Sequence, residues 1–153
     1  MFRFIDCLGI NRQECFFTNA IMGMRNDDNS LGRSPAWKDI DFMEQCYTFF
    51  KTQMSEIKPK VVFILGKQVA HFVWKVYKSN SDNIGDWERI KDVKVLFESG
   101  NFHKTIGNVK FIYMTHPSLR PSNISQTWGP KDDKKEWKND VELGLTHKLI
   151  YGT

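Results

Sequence analysis

Residues 57–70, Ile57-Lys58-Pro59-Lys60-Val61-Val62-Phe63-Ile64-Leu65-Gly66-Lys67-Gln68-Val69-Ala70, decide the fold. Pro59 stops a helix, because its ring removes an N–H donor and clashes with the preceding turn. The run from Val61 to Leu65 follows with no polar interruption, as expected of a strand covered on both faces. Gly66 ends it, and Val69, Ala70, Phe72, Val73, Val76 and Tyr77 return to helical spacing. Upstream, Ile40, Met43, Tyr47, Phe50, Met54 and Ile57 recur every three or four residues behind Asp39, which is placed to cap the amino end. From residue 39 the order is helix, strand, helix.

Further out, residues 14–22, Glu14-Cys15-Phe16-Phe17-Thr18-Asn19-Ala20-Ile21-Met22, are apolar and aromatic, and polar turn residues at 25–29 follow them; they predict a buried strand with Asn19 at its carboxyl end. A polar stretch over 79–86 predicts a loop, and 93–97 is ambiguous, with a short strand one possibility. Residues 109–115 predict another strand that runs into His116-Pro117-Ser118, where Pro117 ends regular pairing. Gly129-Pro130 precede a last helix with Asp132 and Asp133 in its first turn, an apolar stripe at Trp137, Val141, Leu145 and Leu149, and Gly152 near its end. Strands alternating with helices predict an α/β fold: a three-layer αβα sandwich around a central parallel sheet. Ligands gather at the carboxyl ends of such strands, where Asn19 and His116 both fall.

The chain has 153 residues, a length that suits one domain spanning 1–153, without repeats or low-complexity tracts. No run nears the roughly 18 apolar residues of a membrane span, and Asp6 interrupts the opening where a signal peptide would be apolar. The reading is a soluble, unexported protein, cytoplasmic, or nuclear in a eukaryotic host. Cys7, Cys15 and Cys46 are odd in number and widely spaced, so they indicate neither a disulfide framework nor a zinc ribbon. Residues 1–50 hold 5 basic and 7 acidic side chains, whereas 51–153 hold 17 and 11. That asymmetry permits a nucleic-acid face, although on charge alone a mixed, merely solvating surface is the commoner case.

These segments together resemble the uracil-DNA glycosylase superfamily. Phe17-Thr18-Asn19-Ala20 is similar to the family's strand ending in its base-reading Asn, residues 57–70 to its segment of the form IKPKVV-x-LG-xx-A, and Thr115-His116-Pro117-Ser118 to its second catalytic motif. The order is the family's own, over about residues 8–120, and an ordered set is more specific than any one short motif. The resemblance implies a DNA glycosylase that hydrolyses the N-glycosidic bond of uracil, or a related damaged base, in base excision repair. DNA is then the partner, and a monomer is expected.

What the residues can do agrees with that implication. A flipped uracil offers an O4 acceptor and an N3 donor, and the carboxamide of Asn19 can satisfy both. Cleavage leaves negative charge on the departing base, and His116 donating a hydrogen bond to O2 stabilises that charge most in the transition state. Pro117 and Ser118 would hold the loop against backbone phosphates, while Leu119 or Arg120 would fill the space the base vacates. Plainer readings stay open: Asn19 as a turn cap, His116 as a loop histidine, Ser118 as a turn residue. Gly66 and Ala70 read as a tight turn and close packing, His71, His103 and His147 as surface or packing residues, and the five tryptophans mostly as core or capping bulk.

The family's first motif, of the GQDPYH or GxxPG kind, has no match in the chain. A fragment that lacks its first strand is therefore expected, with a diverged member as the alternative. Asp27 and Asp28 are the only carboxylates to nominate for activating water, and solvated loop acids are the commoner case. Of the four cysteines that hold an iron–sulfur cluster in some members, only Cys46 falls at a matching place and Gly23 stands at another, so no cluster, metal or other cofactor is expected. Two other functions compete: a catalytically inactive DNA-binding or protein-interaction module of the same fold, and an unrelated flavodoxin-like or nucleotide-binding protein. The last lacks a glycine-rich phosphate loop.

Overall fold

The computed structural model describes residues 2–22, 35–79, 82–117 and 141–152. Five α-helices are found among them: α1 (Phe2–Cys7), α2 (Ile40–Ile57), α3 (Lys67–Tyr77), α4 (Val93–Glu98) and α5 (Val141–Tyr151). The strands are β1 (Val61–Leu65), β2 (His103–Ile106) and β3 (Val109–Met114), in the sheet order β1-β3-β2. The helix–strand–helix unit forms as the sequence predicts. Asp39 caps α2 by accepting from the Phe42 N–H at 3.0 Å. Lys58 ends it in the left-handed region at φ 49°, its N–H donating to the Met54 carbonyl, and Pro59 prevents continuation. Along α2 the buried face is Met43, Cys46 and Phe50; Ile40 and Ile57, at its two ends, are exposed.

The sheet is mixed rather than parallel. β1 and β3 run parallel with Val61 beside Lys110 and Leu65 beside Met114, but β2 lies antiparallel on the other side of β3. β2 and β3 form a hairpin whose two-residue turn, Gly107-Asn108, places Gly107 at φ 58°. β3 is thus the central strand, with Phe111 to Met114 all buried, whereas four of the five residues of β1 are only half-buried. Full coverage on both faces, expected of β1, belongs to β3.

Three further expectations change. Residues 14–22 do not form a sheet strand: Asn11 caps a 3-10 turn at Arg12–Glu14, and 15–19 continue as irregular chain. An apolar run becomes a strand only where an edge receives its N–H and C=O groups, and among the described residues β1 pairs only with β3. Phe16 and Phe17 are accordingly exposed. Residues 93–97 belong to a helix, because Asp92 accepts from the Lys94 and Val95 N–H groups and Val93, Leu96 and Phe97 fall on one buried face. The polar stretch at 79–86 leads into a 3-10 helix, Asp82–Trp87, that buries Ile84 and Trp87.

Alternate residues of β3 meet different helices. Phe111 packs on Tyr77 of α3 (ring centroids 5.4 Å apart) and Tyr113 on Phe97 of α4 (6.2 Å). α2 reaches the core through α3, where Tyr47 and Phe50 both contact Phe72. On the other parity, Lys110 Nζ donates to the Leu149 carbonyl at 3.3 Å and Thr146 Oγ1 lies 3.0 Å from Met114 Sδ. α5 therefore runs antiparallel to β3. Its buried face is Glu142, Leu143 and Thr146, rotated from the expected stripe, since Leu145 and Leu149 are half-buried and Val141 is exposed. Gly129, Pro130, Asp132, Asp133 and Trp137 lie outside the described residues.

Candidate active site

Two parallel strands in register end side by side, so the residues that follow them must meet. Leu65 is level with Met114, and the Gly66 N–H donates to the Met114 carbonyl at 2.8 Å, adding one more rung to the ladder. At φ 95° and ψ 162°, Gly66 turns the chain into α3 in a backbone region that is nearly glycine's alone. Position 66 also faces His116: a Cβ there would stand 3.6 Å from His116 Cβ. Ala70, one turn into α3, is fully buried, as close helix–sheet packing requires.

His116 itself is exposed, and the residue before it is fixed on both sides. The Thr115 N–H donates to Glu142 Oε2 at 2.9 Å and its hydroxyl to Oε1 at 2.7 Å. Thr115 is buried and Glu142 is 0% exposed, so a carboxyl group from α5 grips the strand end from inside the protein. A buried carboxyl would be unfavourable without such donors. Sequence reading missed Glu142; the signal was an acid directly beside Val141 of the expected apolar stripe and followed by Leu143. Pro117 is half-buried, which fits its role in ending the ladder.

Asn19 is exposed and held differently. Its neighbour Thr18 accepts a hydrogen bond from Gln53 Nε2 at 3.1 Å, which ties the segment to α2 rather than to a strand. The structure thus brings Gly66 and His116 together at the ends of β1 and β3, while Asn19 belongs to a segment anchored on α2. Ser118, Leu119 and Arg120 lie outside the described residues, as do Gly23, Asp27 and Asp28.

The other histidines all make ring contacts within the protein. His71 Nδ1 is 2.6 Å from the Glu88 carbonyl and its ring lies against Trp74, and His147 lies against Tyr151. His103 packs on the edge of Phe102; partial burial, and then the charges of Lys110 and Lys104, hold its pKa below the ordinary histidine value. Trp87 is core, its Nε1–H donating to the Asn101 carbonyl, and Trp37 and Trp74 are half-buried; Trp128 lies outside the described residues. Cys7 is exposed and Cys46 buried, and among the described residues no three His, Cys, Asp or Glu side chains gather as a metal site would need.

No curated protein and no solved structure matches the chain. One family model does, over residues 1–142, which takes in the Asn19 segment, the turn at Gly66, His116 and the Glu142 that grips the residue before it. On that match, and with an exposed histidine following the central strand of a mixed α/β sheet, the chain belongs to the Uracil DNA glycosylase superfamily.

Proposed function

We propose that this protein is a DNA glycosylase, hydrolysing the N-glycosidic bond of uracil or a related damaged base during DNA repair. The observation that carries the reading is the placement of His116: a family-type histidine, exposed, at the joined carboxyl ends of β1 and β3, with Thr115 gripped behind it. In the reaction, the bond between C1′ and the base nitrogen breaks, its electron pair leaves with the base, and water adds to C1′. Charge grows on the base as the bond lengthens, so a hydrogen bond from His116 to O2 acts mainly in the transition state. Asn19 reads the base edge, and the loop from Pro117 through Ser118 to Leu119 and Arg120 meets the DNA backbone and the vacated space. The helices meeting alternate residues of β3 support a three-layer sandwich of one domain over 1–153. No helix among the described residues is long and apolar enough to cross a membrane.

The test is base release from a labelled uracil-containing oligonucleotide by wild type, Asn19→Ala and His116→Ala. Loss of about a hundredfold or more in the histidine variant is expected from removing a transition-state hydrogen-bond donor. A second reading is a catalytically inactive DNA-binding or protein-interaction module of the same fold. It is favoured by the placement of Asn19, which is exposed and lies in a segment that takes no strand structure. Salt-sensitive DNA binding by a folded wild type without base release would select it.

A further inference from the structure

An open cavity of about 620 Å³ lies at the first turn of α3, walled by Trp37, Lys67, His71, Glu88, Arg89 and Lys91. It adjoins the strand ends, since Lys67 directly follows Gly66 and Gly66 lies against His116. Its volume falls within the roughly 300–1,000 Å³ of small-ligand sites. The Trp37 and His71 rings, 6.5 Å apart and inclined at 55°, make a corner, not a stack on each other. Each ring also packs on another, Trp37 edge-on to Phe72 at 6.4 Å and His71 on Trp74 at 5.2 Å. A carbonyl only accepts, so His71 Nδ1 carries the proton shared with the Glu88 carbonyl, and this hydrogen bond fixes the ring.

The rim carries three cations, Lys67, Arg89 and Lys91, against one acid, Glu88. Lys67 Nζ donates to the Lys91 carbonyl at 3.1 Å, which pins the segment at 88–91 across the start of α3. Arg89 and Lys91 are exposed, and among the described residues neither has a carboxylate partner. Aromatic faces beside unneutralised cations are the recurring means of holding a single nucleic-acid strand: each base has a π-face to stack, and the cations follow the phosphates. A duplex keeps its bases stacked on each other, so only a splayed base enters such a corner.

We propose that this cavity is a nucleotide subsite for single-stranded DNA, with an unstacked base in the Trp37–His71 corner and its phosphates on Arg89 and Lys91. The inference rests on the reading of the chain as a DNA-acting protein and adds to it the form of the substrate and a second place of contact. The experiment is fluorescence anisotropy of a labelled single-stranded uracil-containing oligonucleotide with the full chain, over a series of salt concentrations. Arg89→Glu/Lys91→Glu is expected to bind at least about tenfold more weakly, and to lower the slope of log K against log salt by about 1.4, two phosphate contacts at 0.7 each. Lys75→Glu/Lys78→Glu makes the same charge change at the other end of α3, on the lysines over Trp74, and is expected to leave that slope as in wild type. Trp37→Leu is expected to bind intact strands and strands carrying abasic residues equally, where wild type prefers the intact ones. Equal losses in the two charge-reversal variants would overturn the subsite while leaving DNA binding in place. Absence of DNA binding by folded wild type would overturn the DNA-acting reading and the subsite together.

Discussion

At the scale of single residues, Gly66 has two separable properties, its backbone conformation and its neighbour. A Cβ at position 66 would meet His116 at 3.6 Å, an ordinary contact, so space does not exclude alanine there. The backbone does: φ 95° with ψ 162° is strained for any residue with a Cβ, by about 1–3 kcal/mol. Gly66→Ala is therefore expected to lower stability by about that amount in urea denaturation through strain alone. His103 gives a pH signature. Partial burial and the nearby Lys110 and Lys104 depress its pKa, so between that value and the ordinary one the unfolded chain binds a proton that the folded chain refuses. Stability from this group is full above the ordinary histidine pKa of about 6.5, and is lost as pH falls below it until folded His103 also protonates. His103→Gln should flatten the fall in Tm between about pH 7.5 and about pH 5.

At the scale of elements, the strap between α5 and β3 is the feature with the clearest consequence. Glu142 takes two hydrogen bonds from Thr115, and Thr146 and Lys110 add contacts along the same antiparallel pair. Glu142→Ala leaves two buried donors of Thr115 without this partner, and should cost about 3 kcal/mol. Glu142→Gln keeps one acceptor oxygen and should recover part of the loss, read as denaturation midpoints of the two variants. Element boundaries were legible where the local chemistry is unambiguous: Asp39 and Pro59 frame α2 and β1 in sequence and structure alike. The β2–β3 hairpin left only the Gly107-Asn108 pair as a local mark, because the residues on its two sides do not alternate in burial and Phe111 to Met114 are all buried. α4 was not legible, because Val93, Leu96 and Phe97 fit a short strand or one helical face equally, and the Asp92 cap decides between them.

At the scale of the whole molecule, one hydrophobic cluster joins α1 to α5 through the sheet, with Phe4 of α1 on Phe63 of β1 and Leu143 of α5 among the buried residues. β3 is paired on both sides and buried from Phe111 to Met114, whereas β1 and β2 each pair only with β3 among the described residues. Amide hydrogen exchange should therefore be slowest in β3 and faster in β1 and β2, which lie at the edges of the sheet among the described residues. Equal protection across the three strands would contradict this topology.

The sequence by itself determined the alternation of α2, β1 and α3, the strand leading into His116, and the family, because helical period, Pro and Gly breaks and ordered motifs are local properties of the chain. Only the tertiary structure decided that β2 lies antiparallel, that residues 15–19 stay out of the sheet, and that Glu142 grips Thr115. Each of these depends on which edge or buried donor is within reach after the chain has folded. Periodicity does not encode that choice, because a strand needs an edge to pair with and a buried carboxyl needs donors to face.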